Sequence, residues 1–335
     1  MRISVLFGGE SEERDVSIAS AAQIIPALRA RGHHVAAVDT AYGAIAVADE
    51  HRVLMSAVGQ APPSATEIDL ARLHARSLQL PATVGDSDVV FIALHGGSGE
   101  DGRLQALLDL AGIPYTGSGP LGSALAMDKD VSKTLLRAGG VLTPDWLIAP
   151  ASTDQVQNEL GFPVVVKPTA QGSTVGLSVV RSSDQLQAAI ERAGQYGTVM
   201  IERFIRGREL TVGVLGDRAL AVGEIFVPVD EAFTYEDKYQ LGAIEEAFPA
   251  NVSAAIESAA KNSAQEAHRL LRLQGYSRSD FRLDDTGVLW IIEANSLPGM
   301  TATSLLPQSA AAEGIDYGQL CDTICKEAIE RWKRR

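Results

Sequence analysis

The chain has 335 residues, 46% of them hydrophobic, and a formal charge of −13. That length holds two or three domains with ample core, and the acidic balance sets aside a general nucleic-acid surface, which needs positive charge. Met1-Arg2 leads straight into a strand and no apolar run nears membrane-spanning length, so a cytoplasmic chain with no leader and no membrane contact is expected.

Residues 3–7 read as a short buried strand, followed by the polar turn Gly8-Gly9-Glu10-Ser11-Glu12-Glu13-Arg14-Asp15. A helix is expected from Ser17 to about Arg31, with Pro26 as a kink point, and residues 34–39 form the next strand. Strand, helix, strand indicates an α/β layer. The paired glycines lack the third spaced glycine of a dinucleotide fingerprint. Residues 41–83 say less; Ala61-Pro62-Pro63-Ser64 marks a loop. Residues 88–93 are an apolar strand running into Leu94-His95-Gly96-Gly97-Ser98-Gly99-Glu100-Asp101-Gly102, with a helix over 103–110. A strand ending in glycines before a helix is where α/β folds bind ligands. His95 is open to two readings there, a packed hydrogen-bonded histidine or a site residue.

Residues 111–119 are linker-like, and the first boundary falls near Gly119. One helix over 121–138 carries Lys129 and Lys133 a turn apart. Strands at 162–167, 177–180 and 199–204, with a helix at 183–193, form a smaller α+β unit ending near Gly207. A hairpin joins 209–215 to 219–225 across Gly216-Asp217. An aromatic, charged loop at 233–239, a long helix at 251–273 and an amphipathic helix at 317–332 complete the chain. Cys321 and Cys325 sit a turn apart on that last helix with no matching histidines, which reads as a reduced pair on a helix face. The expected modules are 1–119, 120–207 and 208–335.

Two segments carry the chemistry. Residues 280–295 read Asp-Phe-Arg-Leu-Asp-Asp-Thr-Gly-Val-Leu-Trp-Ile-Ile-Glu-Ala-Asn, two strand-like runs about a turn, hence a hairpin. Its stretch 288–292 is almost wholly apolar and is expected to be buried. Glu293 and Asn295 share a strand face, and the hairpin can return Asp280 beside them. Carboxylates among apolar neighbours need a partner, and an all-oxygen set suits magnesium shared with phosphates. A surface hairpin with scattered acids is the other reading. Residues 167–176, Lys-Pro-Thr-Ala-Gln-Gly-Ser-Thr-Val-Gly, put a lysine at a strand end before glycines and hydroxyls, an arrangement that frees amides to face an anion. A plain hairpin turn also fits that stretch alone. Phosphoryl transfer uses metal oxygens, cations and amides together, so the two segments support each other. Ile201-Glu202-Arg203-Phe204-Ile205 and Glu209 offer an apolar slot and carboxylates of the kind an adenosine wants.

Taken in order, several pieces resemble one family: Gly8-Gly9 with Ser11 and Glu13-Arg14-Asp15-Val16-Ser17, His95-Gly96 with Gly99-Glu100-Asp101-Gly102, Gly117-Ser118-Gly119, and Met127-Asp128-Lys129. Lys167-Pro168 with Gly172-Ser173-Thr174-Val175-Gly176, Tyr235-Glu236-Asp237-Lys238-Tyr239 and Glu293-Ala294-Asn295-Ser296-Leu297-Pro298-Gly299-Met300-Thr301 complete the set. Over nearly its whole length the chain resembles a D-alanine–D-alanine ligase of the ATP-grasp superfamily. The resemblance implies an ATP-grasp fold of mixed α/β and α+β class. An N-terminal parallel-sheet α/β domain and two further α+β domains would enclose a nucleotide cleft. It implies ATP-dependent joining of two D-alanine molecules through an acyl phosphate, for peptidoglycan precursors, with ADP and phosphate released.

The same resemblance implies roles. Glu13 would hold the first D-alanine's ammonium, with His95 near it. Lys129, Lys167 and Ser173 would contact ATP, Glu202, Arg203 and Ile205 would face adenine, and Glu209 would bind ribose. Lys238 would approach the transferred phosphate. Ser173 and Tyr239 would join Glu13 in a latch, and Arg278 would meet the developing oxyanion. Asp280, Glu293 and Asn295 would bind two magnesium ions, or manganese. Ser304 and Leu305 would take the second amino acid's carboxylate. A homodimer is implied as well. Three stretches depart from the family pattern and bear on loop closure and second-substrate preference: Ala170-Gln171, the loop after Tyr239, and Ser277-Arg278-Ser279-Asp280. Tyr239 matches the dipeptide-forming members. Two other functions compete: an ATP-grasp ligase of a secondary pathway joining other amino acids, and a non-catalytic nucleotide-binding regulator.

Overall fold

Runs of Val, Ile, Leu and Phe become the strands of three separate sheets in a computed structural model that describes residues 1–55, 63–74, 81–227 and 245–334. The first sheet uses β1 (Arg2–Phe7), β2 (His34–Asp39), β3 (Gly43–Ala44) and β4 (Val89–Ile92) in the order β3-β2-β1-β4. β1 runs parallel to β2 and β4, and β3 is antiparallel. β4 is wholly buried and β1 nearly so, which is why both read as unbroken apolar runs. The helix after β1 spans Arg14–Ala30 and so begins ahead of the expected Ser17. The amide of Arg14 donates to Ser11 O and that of Ser17 to Glu13 O, so the polar turn itself starts the helix.

The second sheet is antiparallel: β5 (Trp146–Ile148), β6 (Val164–Pro168), β7 (Ser178–Val180) and β8 (Val199–Arg203), ordered β5-β8-β6-β7. β5 was not expected, because so short a strand shows no period. The single helix expected over 121–138 is two, Pro120–Met127 and Lys129–Ala138. Asp128 between them is extended, and its side chain accepts from the amides of Asp130 and Val131, capping the second helix. Lys129 and Lys133 therefore stand on one short capped helix. Both helices lend Ala126 and Leu136 to the core under the third sheet.

That third sheet has the order β11-β10-β9-β12-β13, with β9 (Arg208–Leu215), β10 (Arg218–Ile225), β11 (Glu246–Ala247), β12 (Tyr276–Leu283) and β13 (Leu289–Asn295), all antiparallel. The β12–β13 turn is closed by the Asp284 carboxylate, which accepts the amides of Thr286 and Val288 at 2.9 Å each, and Gly287 supplies the left-handed φ of 85°. The run at 288–292, expected to be buried, is half-buried apart from Ile291. β13 is a sheet edge, with Ile291 in the core and Ile292 and Glu293 facing a cleft. The closing helix Tyr317–Lys333 returns to the first sheet, where Leu320, Ile324 and the free, buried Cys321 and Cys325 share a core with Val5 and Phe91. Among the described residues no helix is long and apolar enough to cross a membrane.

Candidate active site

The β12–β13 ladder sets Asp280 opposite Glu293 and Arg278 opposite Asn295. Four chemically active side chains thus meet at one end of the hairpin. Arg278 donates from Nε and Nη2 to the two Asp280 oxygens at 2.9 and 2.8 Å. The Thr211 hydroxyl, on neighbouring β9, adds a bond to Asp280 Oδ1 at 2.8 Å, and Asn295 Nδ2 donates to Oδ2 at 3.2 Å. Glu293 lies 3.3 Å from Lys129 Nζ. Among the described residues no three His, Cys, Asp or Glu gather as a complete metal cage. Two acids and an amide instead offer a partial set of hard oxygens, which fits an ion that phosphates finish coordinating. In this state Arg278 and Lys129 balance the two carboxylates.

The second and third sheets face each other across a cleft. Lys167, at the end of β6, and Glu202, on β8, meet there at 2.7 Å. The other Glu202 oxygen bonds Lys133, whose Nζ also donates to Thr143 Oγ1 at 2.6 Å. Burial alone pushes the Glu202 carboxyl up, but the two lysines more than reverse this and hold it below 4.5. Burial brings Lys133 down to about 8, against the pull of Glu202. The carboxylate expected at adenine is thus engaged by two lysines. Ile205 and Phe204 continue the cleft wall, while the Arg203 guanidinium leaves it for the Glu159 carbonyl at 3.0 Å and Asp145 at 3.4 Å. Glu209 lines the cleft and pairs with Arg282 at 2.9 Å.

A second recess opens off this cleft and shares Gly172, Ser173 and Glu293 with it. Two of its lining residues from distant segments are bonded to each other: Ser173 Oγ donates to Glu13. Ser173 and Thr174 hold φ of 45° and 58°, a region that disfavours side chains. Gly172 permits the approach, since a Cβ there would stand 2.5 Å from a Glu13 oxygen. Lys129 Nζ donates to Gln171 O at 2.7 Å and pins the same loop. His95 is buried with both ring nitrogens engaged. The Leu297 carbonyl, 3.2 Å from Nδ1, can only accept, so Nδ1 carries a proton, and Nε2 is hydrogen-bonded to Ser20 Oγ at 3.1 Å. The imidazole still lines the recess. Ser304 precedes the helix Leu305–Ala312 but does not cap it; its Oγ takes the Thr301 amide at 3.1 Å. The first amides of that helix have no intrahelical acceptor, and Ser304 and Leu305 at its start line the recess.

Tyr239 and Lys238 lie outside the described residues. Lys133, Thr211, Arg282 and Glu246 stand at the site without having been assigned a role from sequence. Lys133 was visible as the residue a turn after Lys129, and Arg282 as the residue one strand period after Asp280. Thr211 and Glu246 carry no local signal.

Two family models match: the D-ala D-ala ligase N-terminus over residues 2–118 and the D-ala D-ala ligase C-terminus over residues 139–326. The D-alanine--D-alanine ligase of Gluconobacter oxydans is 42% identical over 334 residues, covering 99% of this chain and 100% of its own. A crystal structure of D-alanine--D-alanine ligase from Bacillus anthracis complexed with ATP superposes with a TM-score of 0.76 at 29% identity, over 100% of this chain and 99% of the other. The VanG D-Ala:D-Ser ligase from Enterococcus faecalis superposes with a TM-score of 0.78 at 27% identity, over 97% of this chain and 98% of that one.

Proposed function

The chain belongs to the D-alanine–D-alanine ligase family and has its ATP-grasp fold, and we infer that it joins two D-alanine molecules with ATP split to ADP and phosphate, for peptidoglycan precursor synthesis. The observation that carries this reading is the shared wall of Gly172, Ser173 and Glu293, which joins a lysine-lined nucleotide cleft to a recess of amino-acid chemistry. A phosphate leaving ATP at that wall is within reach of a carboxylate in the recess.

Glu13 holds the ammonium of the first D-alanine, with His95 beside it. Lys129 and Lys167 supply positive charge to the phosphates, Ile205 and the backbone at Glu202 and Arg203 face adenine, and Glu209 takes the ribose hydroxyls. Magnesium, as two ions or with manganese in its place, bound through Asp280, Glu293 and Asn295, would neutralise phosphate charge. Arg278, next to those residues, meets the oxyanion when the second amine attacks the acyl phosphate. Ser304 and the Leu305 amide take the second carboxylate. The Ser173–Glu13 bond, with Tyr239 as its third member and Lys238 near the transferred phosphate, closes the loop and keeps water from an intermediate that hydrolyses readily.

We propose modules of 1–119, 120–207 and 208–335, each holding one sheet, a homodimer, and a place in the cytoplasm. Incubation with ATP, magnesium and D-alanine tests the reading: ADP, phosphate and D-alanyl-D-alanine should appear together. Release of phosphate without dipeptide, or with dipeptide only when another amino acid is added, contradicts it and favours a ligase of different second substrate.

A further inference from the structure

We infer that Glu246 takes the proton from the second amino acid's ammonium group and so frees the amine that attacks; the inference rests on the ligase reading above. No motif marks this residue. Its carboxylate lines the recess with Arg278, Asn295, Ser304 and Leu305. Gln308 fixes it there: Nε2 donates to Glu246 Oε2 at 2.5 Å and to Thr303 O at 2.6 Å. Gln308 lies on the helix Leu305–Ala312, and its amide donates to Ser304 O at 3.0 Å. One side chain therefore ties the Glu246 carboxylate to the helix turn that is placed to receive the second carboxylate. Ammonium and carboxylate hang on one carbon of an α-amino acid. A turn that grips the carboxylate brings the ammonium beside an acceptor held at the same turn.

The other carboxylates of the recess are engaged elsewhere. Glu13 takes the Ser173 hydroxyl, Glu293 lies against Lys129, and Glu100 stands 3.8 Å from His95 Nδ1. Among the described residues, the one hydrogen bond to Glu246 comes from a neutral amide. Burial pushes its carboxyl above the ordinary value, against the opposing Gln308 bond and Arg278 charge, which makes it the better proton acceptor.

The step balances as follows. An ammonium N–H bond breaks, and its proton passes to the Glu246 carboxylate while the electron pair stays on nitrogen. That pair forms the C–N bond at the acyl phosphate carbonyl. The tetrahedral intermediate then breaks its bond to the phosphate oxygen, and the departing phosphate takes the second surplus proton from nitrogen. Glu246 gives its proton to water.

Hydroxylamine, uncharged at neutral pH, needs no such acceptor and is the probe. Enzyme, ATP, magnesium and D-alanine are incubated with it, and D-alanyl hydroxamate is measured beside dipeptide. Glu246→Gln should lower dipeptide formation about 100-fold while hydroxamate stays within about twofold of the parent. Glu246→Asp, which keeps a carboxylate, should recover about a tenth or more of the parent dipeptide-to-hydroxamate ratio. An unchanged dipeptide rate in Glu246→Gln overturns the inference. So does parallel loss of both products in a Glu246→Gln protein that still binds ATP, or a Glu246→Asp ratio no better than that of Gln. A parent enzyme that makes neither product removes the ligase reading itself, and this inference with it.

Discussion

The Lys133–Glu202–Lys167 cluster ties the second sheet to the helix Lys129–Ala138, and the Arg278–Asp280 and Lys129–Glu293 pairs tie the third sheet's hairpin to itself and to the same helix, all around one cleft and its recess. Their chemistry is alike and their burial is not. Lys133 and Glu202 have side chains 1% and 3% exposed, whereas Lys129 and Glu293 are 11% and 22% exposed. In the first cluster every charge is desolvated, so a partner cannot leave without stranding another charge. In the second, both carboxylates line the cleft, where a bound cation could replace the ones now holding them. The comparison teaches which ion pairs are frame and which are placeholders. Glu202 ties β6, β8 and the helix Lys129–Ala138 together. Asp280 and Glu293, on the reading proposed above, are the carboxylates that a metal and phosphates would take over.

The largest effect should come from the placeholder side. Asp280→Ala or Glu293→Ala should lower turnover by about 1000-fold or more, the scale of several kcal/mol of lost charge stabilisation, while thermal stability stays near the parent in Glu293→Ala, whose carboxylate is the more exposed of the two. Normal turnover in either purified variant breaks the comparison. Glu202→Gln should do the reverse and cost about 3–5 kcal/mol of folding stability, as for a buried pair that loses one member. Its acid response follows from its sign. The folded carboxyl lies below its ordinary 4.5, so its contribution is fully present above that pH and is lost as pH falls through the lower folded value. Denaturant unfolding over a pH series should therefore show an acid-side decline in the parent that is smaller in Glu202→Gln. Identical slopes would deny the cluster its structural role.

Arg278→Ala sharpens the contrast. It should slow the step after acyl phosphate formation by about 3 kcal/mol, the usual loss of one oxyanion donor, and leave ATP affinity nearly unchanged. Rapid-quench kinetics beside ATP titration separate the two; a large loss of affinity with little change in rate contradicts the assignment. The smallest effect should come from Ser173→Ala, which removes one hydrogen bond to a carboxylate worth about 1.5–3 kcal/mol. The expected readout is a larger share of ATP hydrolysed without dipeptide, because water reaches the intermediate. Tight coupling of ATP use to dipeptide in that variant counts against the latch.

Local signals were legible in the residues themselves. The 280–295 hairpin shows both its strand period and its turn chemistry within sixteen residues, and the order of glycine and polar motifs carried the family resemblance along the whole chain. The helix break at Asp128 was read through, although an Asp two residues before another Asp is a cap signal; the apolar pattern on either side ran on unbroken. The partners of the carboxylates were not legible, since they come from distant segments. Lys133 and Glu202 are 69 residues apart, as are Thr211 and Asp280. Glu246 stands on a two-residue strand, and its carboxylate is held by Gln308, far along the chain.

A crystal structure of the protein with magnesium and a non-hydrolysable ATP analogue tests the exchange of partners most directly. Arg278 should have left Asp280, with oxygens of Asp280, Glu293 and Asn295 turned to metal, while both lysine contacts to Glu202 stay in place. An Arg278–Asp280 pair that persists with the metal held by other groups, or a Glu202 released from its lysines, would contradict it.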